Sequence, residues 1–179
     1  MKLLIIYFSF SGNNEMLVDD LKKRLGCEAV KIIESKKRKD MTILFDVMFN
    51  RTPRINNIGK NLEEYDHIIL IAPIWAGKIA SPLKSLLLLE KENIHDYSFI
   101  CVCSGVENQK EKIQTQLTNL LRKKPVIVTE LWINDLLPAD QKNKIKYVTP
   151  YRLQPKDFVV FAPEIEKYIT VVSKQFKYI

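Results

Sequence analysis

The feature that most constrains this chain is a set of apolar runs that do not alternate. Leu3-Leu4-Ile5-Ile6-Tyr7-Phe8 and His67-Ile68-Ile69-Leu70-Ile71-Ala72 place apolar side chains at successive positions. Successive residues of a strand face opposite sides of its sheet, so such a run belongs in a strand covered on both faces. After the first run come a polar, glycine-containing loop and then Met16-Leu17-Val18-Asp19-Asp20-Leu21, with apolar residues three and four apart. That is helical spacing. The same reading along the chain predicts strands at about Leu3–Phe8, Ala29–Ile33, His67–Ala72, Tyr97–Cys103 and Val126–Leu131. Helices are predicted at about Asn13–Leu25, Met41–Phe49, Ser81–Leu89, Lys110–Leu121 and Phe158–Phe176. Gly26 stands where a helix C-terminal glycine belongs, and Ser81-Pro82 read as an N-cap serine followed by proline at the first helical position. Strands alternating with helices imply a parallel sheet with right-handed crossovers, hence an α/β fold in three α/β/α layers. A single domain over residues 1–179 is expected. Leu136–Pro155, with prolines at 138, 150 and 155, reads as one irregular insertion, a flap or more simply a surface loop.

Composition narrows the function. The chain has 179 residues, 46% of them apolar and 27% charged, which suits an ordinary globular protein. No apolar run approaches the ~20 residues of a membrane span. The N-terminal run breaks at Ser9 without a small-residue cleavage site, so a cytoplasmic protein is expected. Cys101 and Cys103 lie two apart on one strand, poorly placed to bridge, and Cys27 is remote. The two histidines, His67 and His95, sit at strand edges beside aspartate and tyrosine and read as solvated, so no metal is expected. The formal charge of +7 comes partly from runs at 36–39, 122–124 and 142–146. These runs are scattered and carry no interleaved stacking aromatics, so a nucleic-acid partner is not expected.

Ligands of an open parallel sheet bind beyond the carboxyl ends of its strands. Three segments fall there. Ser9, Phe10, Ser11, Gly12, Asn13 and Asn14 bring hydroxyls and backbone amides to a helix N-terminus, which suits a phosphate. Pro73, Ile74, Trp75, Ala76, Gly77 and Lys78 bring a large aromatic side chain on a loop bounded by proline and glycine. Cys103, Ser104 and Gly105 make a small turn through which backbone groups can reach a flat ring. Phosphate at one end and an aromatic ring at the other describe a mononucleotide. Rival sites fail on particular residues. Gly12 is followed by Asn13-Asn14 and not by the Lys-Ser/Thr of a triphosphate loop. The dinucleotide fingerprint needs three glycines where this chain has one. A phospho-acceptor receiver would want acidic residues after the first strand and an aspartate ending the third, where Ser9 and Pro73 stand. No Gly-x-Ser-x-Gly elbow marks a hydrolase.

At these residues the chain resembles the flavodoxin family. Tyr7-Phe8-Ser9-Phe10-Ser11-Gly12-Asn13-Asn14 is similar to its phosphate loop, with Asn14 where the family usually has threonine or serine. Ala72-Pro73-Ile74-Trp75-Ala76-Gly77, then Pro82-Leu83-Lys84, is similar to its second flavin loop and the helix after it. Cys103-Ser104-Gly105 matches the third loop loosely. The resemblance implies a flavodoxin-like strand order 2-1-3-4-5 and a non-covalent flavin mononucleotide (FMN). It further implies that Ser9, Ser11, Asn13, Asn14 and the loop amides hold the phosphate, that Trp75 stacks on or flanks the ring, and that Gly77 lets backbone groups near the ring change hydrogen bonding with redox state. No catalytic residue of the chain itself is implied, since the flavin carries the electrons.

Three functions are expected as alternatives. The first is an FMN redox protein passing electrons to or between a partner protein and a small acceptor. The second is an NAD(P)H-dependent FMN reductase of the quinone-reducing kind. The third is a flavin-free binding module on the same fold. Electron carriers of this resemblance are typically acidic and this chain is basic, which favours the second or third; no residue set marks a nicotinamide site, which weighs against the second.

Overall fold

In a computed structural model of the chain, residues 2–35, 49 and 51–174 are described. The predicted helix at Met41–Phe49, apart from Phe49, and the last residues of the closing helix lie outside them.

The apolar runs become the centre of a five-stranded parallel sheet. Its strands are β1 (Leu3–Tyr7), β2 (Glu28–Lys31), β3 (His67–Ile71), β6 (Tyr97–Cys103) and β7 (Val128–Trp132). They lie in the order β2-β1-β3-β6-β7. A separate two-stranded hairpin, β4 (Ile74–Trp75) with β5 (Lys78–Ile79), projects from the end of β3. Counting only sheet strands, the order is the expected 2-1-3-4-5. β1 pairs with β3 from Leu3↔His67 to Tyr7↔Ile71, and β6 with β7 from Phe99↔Val128 to Cys103↔Trp132.

Both faces are covered, which is why the runs do not alternate. Leu4, Ile6, Ile68, Leu70, Phe99 and Cys101 face one layer, built on α2 (Ser81–Glu90) and α3 (Gln109–Leu121). Leu3, Ile5, Ile69, Ile71, Ile100 and Val102 face the other, built on α1 (Asn13–Leu25) and α6 (Phe158–Lys174). Each fully buried aliphatic side chain of these layers contributes about 1.5–3 kcal/mol relative to exposure. No helix of the described residues is long and apolar enough to cross a membrane.

Four expectations change. Ala80, not Ser81, is the N-cap of α2; its carbonyl accepts from Lys84 N–H at 3.1 Å, so Ser81 and Pro82 both stand inside the first turn. A proline there costs nothing, because first-turn N–H groups have no helical acceptor. Strand boundaries move as well: β2 stops at Lys31 and β7 starts at Val128. His67 is not a solvated edge residue but is fully buried at the start of β3. Its Nε2 lies 2.8 Å from Ser98 Oγ, which in turn lies 2.6 Å from Tyr168 Oη on α6. Burial holds the imidazole near a pKa of about 4, with Asp96 pulling weakly the other way. Finally, the segment after β7 is no loose surface loop. It forms two short turns, α4 (Ile133–Leu136) and α5 (Ile145–Val148), and buries Leu137, Val148 and Leu153 on the α1–α6 layer.

Candidate functional site

The first loop is built by glycine. Gly12 is the N-cap of α1 with φ +91°, a conformation that L side chains avoid, and it turns the chain from β1 into the helix. The amides from Phe10 to Asn14 make no hydrogen bond to other described residues. Ser9 Oγ accepts from Glu15 N–H at 3.2 Å, which stitches the loop to the first turn and leaves the hydroxyl proton to donate elsewhere. The Ser11 side chain is half-exposed beside it. Converging N–H groups at the positive end of a helix dipole favour an anion. The one carboxylate in that turn, Glu15, points at β2: Lys31 Nζ lies 2.7 and 2.9 Å from its oxygens, and the Tyr7 hydroxyl donates at 3.1 Å. Its charge is thereby compensated away from the loop, and the bond to Lys31 holds the acid below the usual range.

The two asparagines of this loop have backbone partners. Asn13 Nδ2 donates to Tyr151 O at 3.0 Å, and its Oδ1 accepts from Leu153 N–H at 3.0 Å. Asn14 Nδ2 donates to Val102 O at 3.3 Å, and its Oδ1 accepts from Val102 N–H at 2.9 Å. Both side chains are buried. Each carboxamide therefore works as a strand-like pair, Asn14 joining α1 to the end of β6 and Asn13 joining it to the segment after β7. Neither was legible as such, because their partners lie 88 and about 140 residues away.

The second loop is the β4–β5 hairpin. Its central residues Ala76 and Gly77 have φ +47° and +74°, the two positive values that a tight hairpin turn of this hand requires. Trp75 packs edge-on against Phe8 and Phe10, with ring centroids 5.8 and 6.3 Å apart and planes near perpendicular. Phe10 stays exposed, so an aromatic edge stands directly beside the amide-lined loop. Pro73 and Ile74 are half-buried at its base, and Lys78 is exposed at its tip. Lys84 lies near Lys78: burial first, then the Lys78 charge, lowers the Lys84 ammonium below its ordinary value. A side chain the sequence did not single out holds this hairpin. Gln116 of α3 donates from Nε2 to Gly77 O at 2.7 Å and accepts from Ile79 N–H at 3.2 Å.

The third loop leaves β6 at Cys103, whose buried sulfur lies 3.5 Å from Gln109 Nε2. Gly105 has φ +88°, and a Cβ there would lie 2.7–2.8 Å from Trp132 side-chain atoms. Only glycine lets the indole close over this turn. Asn134 orders it further, donating to Gly105 O at 3.1 Å and to Asn143 Oδ1 at 2.8 Å, and accepting from Asn143 N–H at 2.9 Å. A cleft of about 670 Å³ opens beside this loop, between Ser104–Glu107, Trp132 and the segment from Lys142 to Thr149.

All three loops thus stand at the carboxyl edge of the sheet, with amides at one end and aromatic rings at the next strand. A family model described as NADPH-dependent FMN reductase matches residues 1–134, which carry all three. The chain belongs to that family. Its members are flavodoxin-like flavoproteins whose cofactor is FMN. Among solved structures, the chain is similar to a flavoprotein of Lactobacillus acidophilus determined with FMN, at 22% identity and a TM-score of 0.61, covering 72% of this chain and 92% of that one. The apo form of the flavoprotein from that organism matches at 17% identity and 0.59, covering 72% and 91%. A flavodoxin described as a WrbA-like protein, from Agrobacterium tumefaciens, matches at 13% and 0.50, covering 75% and 77%. At these identities the likeness is one of fold. No curated protein sequence matches.

Proposed function

We propose that the chain binds one FMN across the three loops and passes electrons between a donor and an acceptor. The observation that supports this best is the pairing of a ready anion cradle at Phe10–Asn14 with the Trp75–Phe10 aromatic edge on the neighbouring strand end. The donor set fits the group. The amides of the loop and the hydroxyls of Ser9 and Ser11 would hold the phosphate, while Asn13 and Asn14 act from behind by fixing the loop. Trp75 would flank the ring, and the backbone of Ala76–Gly77 and of Ser104–Gly105 would supply polar contacts to its edges. When bound, the flavin supplies the electron-accepting chemistry; the protein orients it and sets its electrostatic surroundings. Lys78, exposed on the hairpin, would favour negative charge on the reduced ring where it comes close, less so as salt rises.

The electron donor separates the two forms of this reading. The family model supports direct use of NADPH, whereas no residue set of the chain marks a nicotinamide site. The carrier form predicts that the FMN-loaded chain is reduced quickly by dithionite and slowly by NADPH unless a separate reductase is added. Rapid turnover of NADPH with a quinone by the chain alone would establish the reductase form instead. Gly12→Val checks the cradle in either form: straining the positive φ and putting a side chain into the space the phosphate would take should abolish FMN binding, and unchanged affinity would show that Ser9–Asn14 is only a turn.

A further inference from the structure

The β4–β5 hairpin has little backbone pairing of its own, though Ile79 is buried in the core and Trp75 packs on Phe8. It consists of two paired residues on each strand, and a two-stranded ribbon is at best marginally stable alone. Its turn also contains a residue under strain: Ala76 takes φ +47°, where a Cβ costs roughly 1 kcal/mol or more. One backbone bond, Ala80 N–H to Pro73 O at 3.0 Å, closes its base. At the turn itself the clasp is Gln116, whose single carboxamide takes both a carbonyl and an amide of the hairpin, at Gly77 and Ile79. The reach is across the molecule, since Gln116 lies 39 residues on in α3.

We infer that Gln116 is a positioning residue for the cofactor site: its carboxamide fixes the direction of the Gly77 carbonyl and the seat of Trp75 before any ligand arrives. This rests on the proposed FMN reading, because the hairpin is the second of the three loops. The physical basis is the bidentate geometry. One amide plane satisfied at both ends sets the orientation of the Gly77 peptide as well as its place, which a single bond would not do. A backbone carbonyl is a strong dipole, and the oxidised and reduced states of a flavin differ in charge and in ring N–H groups. Its orientation therefore weighs differently on the two states. The other α3 side chain that reaches the site, Gln109, meets the third loop at Cys103, so the effect of Gln116 on the ring passes through the hairpin.

Two variants test this. Gln116→Leu keeps much of the volume and removes both bonds. Gln116→Glu keeps the acceptor for Ile79 N–H, removes the donor and sets a negative charge beside the Gly77 carbonyl. In the ligand-free chain, hydrogen exchange at Ala80 N–H reports on the hairpin through a bond that Gln116 does not make. It should quicken about tenfold in the leucine variant, the two lost bonds being partly replaced by bonds to water. In the loaded chain, the ratio of the dissociation constants for oxidised and reduced FMN should change at least about threefold in both variants, within one hydrogen bond's worth. A merely structural role would weaken both constants alike and leave their ratio where it was. An unchanged ratio overturns the inference, whatever the exchange rate does. A parent chain that fails to bind FMN refutes the cofactor reading instead, and Ala80 exchange alone then decides whether the clasp holds the hairpin.

Discussion

The side-chain oxygen of Asn13, at the first position of α1, accepts the amide of Leu153 at 3.0 Å across 140 residues of sequence. The same carboxamide donates to Tyr151 O, so the segment after β7 is fastened to the phosphate-loop end of α1. A residue expected to touch phosphate is, in its side chain, a tie between two parts of the backbone.

Removing that tie should act on stability before it acts on the cofactor. Asn13→Ala leaves the Leu153 N–H, in a buried residue, without its acceptor and should cost about 1–3 kcal/mol in urea unfolding of the ligand-free chain. Asn14→Thr should likewise destabilise it, because a hydroxyl on a shorter side chain cannot reproduce both bonds to Val102. Asn13→Asp separates the roles. It retains the acceptor for Leu153 N–H but sets a carboxylate oxygen against the Tyr151 carbonyl that Nδ2 served, so the fold should still be destabilised, while the added charge beside the cradle should weaken FMN binding well beyond what Asn13→Ala does. An Asn14→Thr chain as stable as the parent would show that the ladder to β6 carries no weight.

The buried His67 makes a prediction in pH. Its folded-state pKa is lowered, to about 4, while the unfolded chain titrates near 6.5. Between those values the unfolded state takes up a proton that the folded state refuses, so stability should fall as pH drops from about 6.5 towards 4 and this contribution should level off below. The full loss is about 3 kcal/mol. The ring resonances of His67 are the direct measure: they should not titrate between pH 5 and 8. Titration of His67 near 6.5 would mean that the His67–Ser98–Tyr168 chain is open to water.

Gly105 should tolerate no side chain. Its φ of +88° and the Trp132 atoms 2.7–2.8 Å from a would-be Cβ require the indole to move in Gly105→Ala. Overpacking of this kind costs about 1–3 kcal/mol. The Trp132 Nε1 bond to Glu130 at 3.2 Å should go with it, visible as a shifted tryptophan emission in a Trp75→Phe background. An unshifted spectrum and unchanged stability would mean that the turn is looser than its geometry implies.

Much of this was open to sequence reading, for local reasons. Continuous apolar runs such as Leu3–Phe8 can hardly be anything but strands covered twice, and Gly12, Gly77 and Gly105 mark turns because each needs φ > 0. The parts that were not legible all depend on partners distant in sequence. His67 looks like a strand-edge residue until Ser98 and Tyr168 arrive from 31 and about 100 residues away to satisfy it. Gln116 reads as one more polar residue of an amphipathic helix. The segment from Leu136 to Pro155 looks like loop because its prolines and lysines dominate the pattern, while Leu137, Val148 and Leu153 are too widely spaced to show a period.

If Phe10–Asn14 holds the phosphate of FMN, the most direct measurement is a parallel titration of the ligand-free chain with FMN and with riboflavin, monitored by flavin fluorescence. Two charge-assisted bonds from the loop are worth about 3 kcal/mol or more, so FMN should bind to about one equivalent and at least about a hundredfold more tightly than riboflavin, which lacks the phosphate. Equal affinity for the two flavins, or no quenching by either at micromolar concentrations, would contradict the phosphate-cradle assignment.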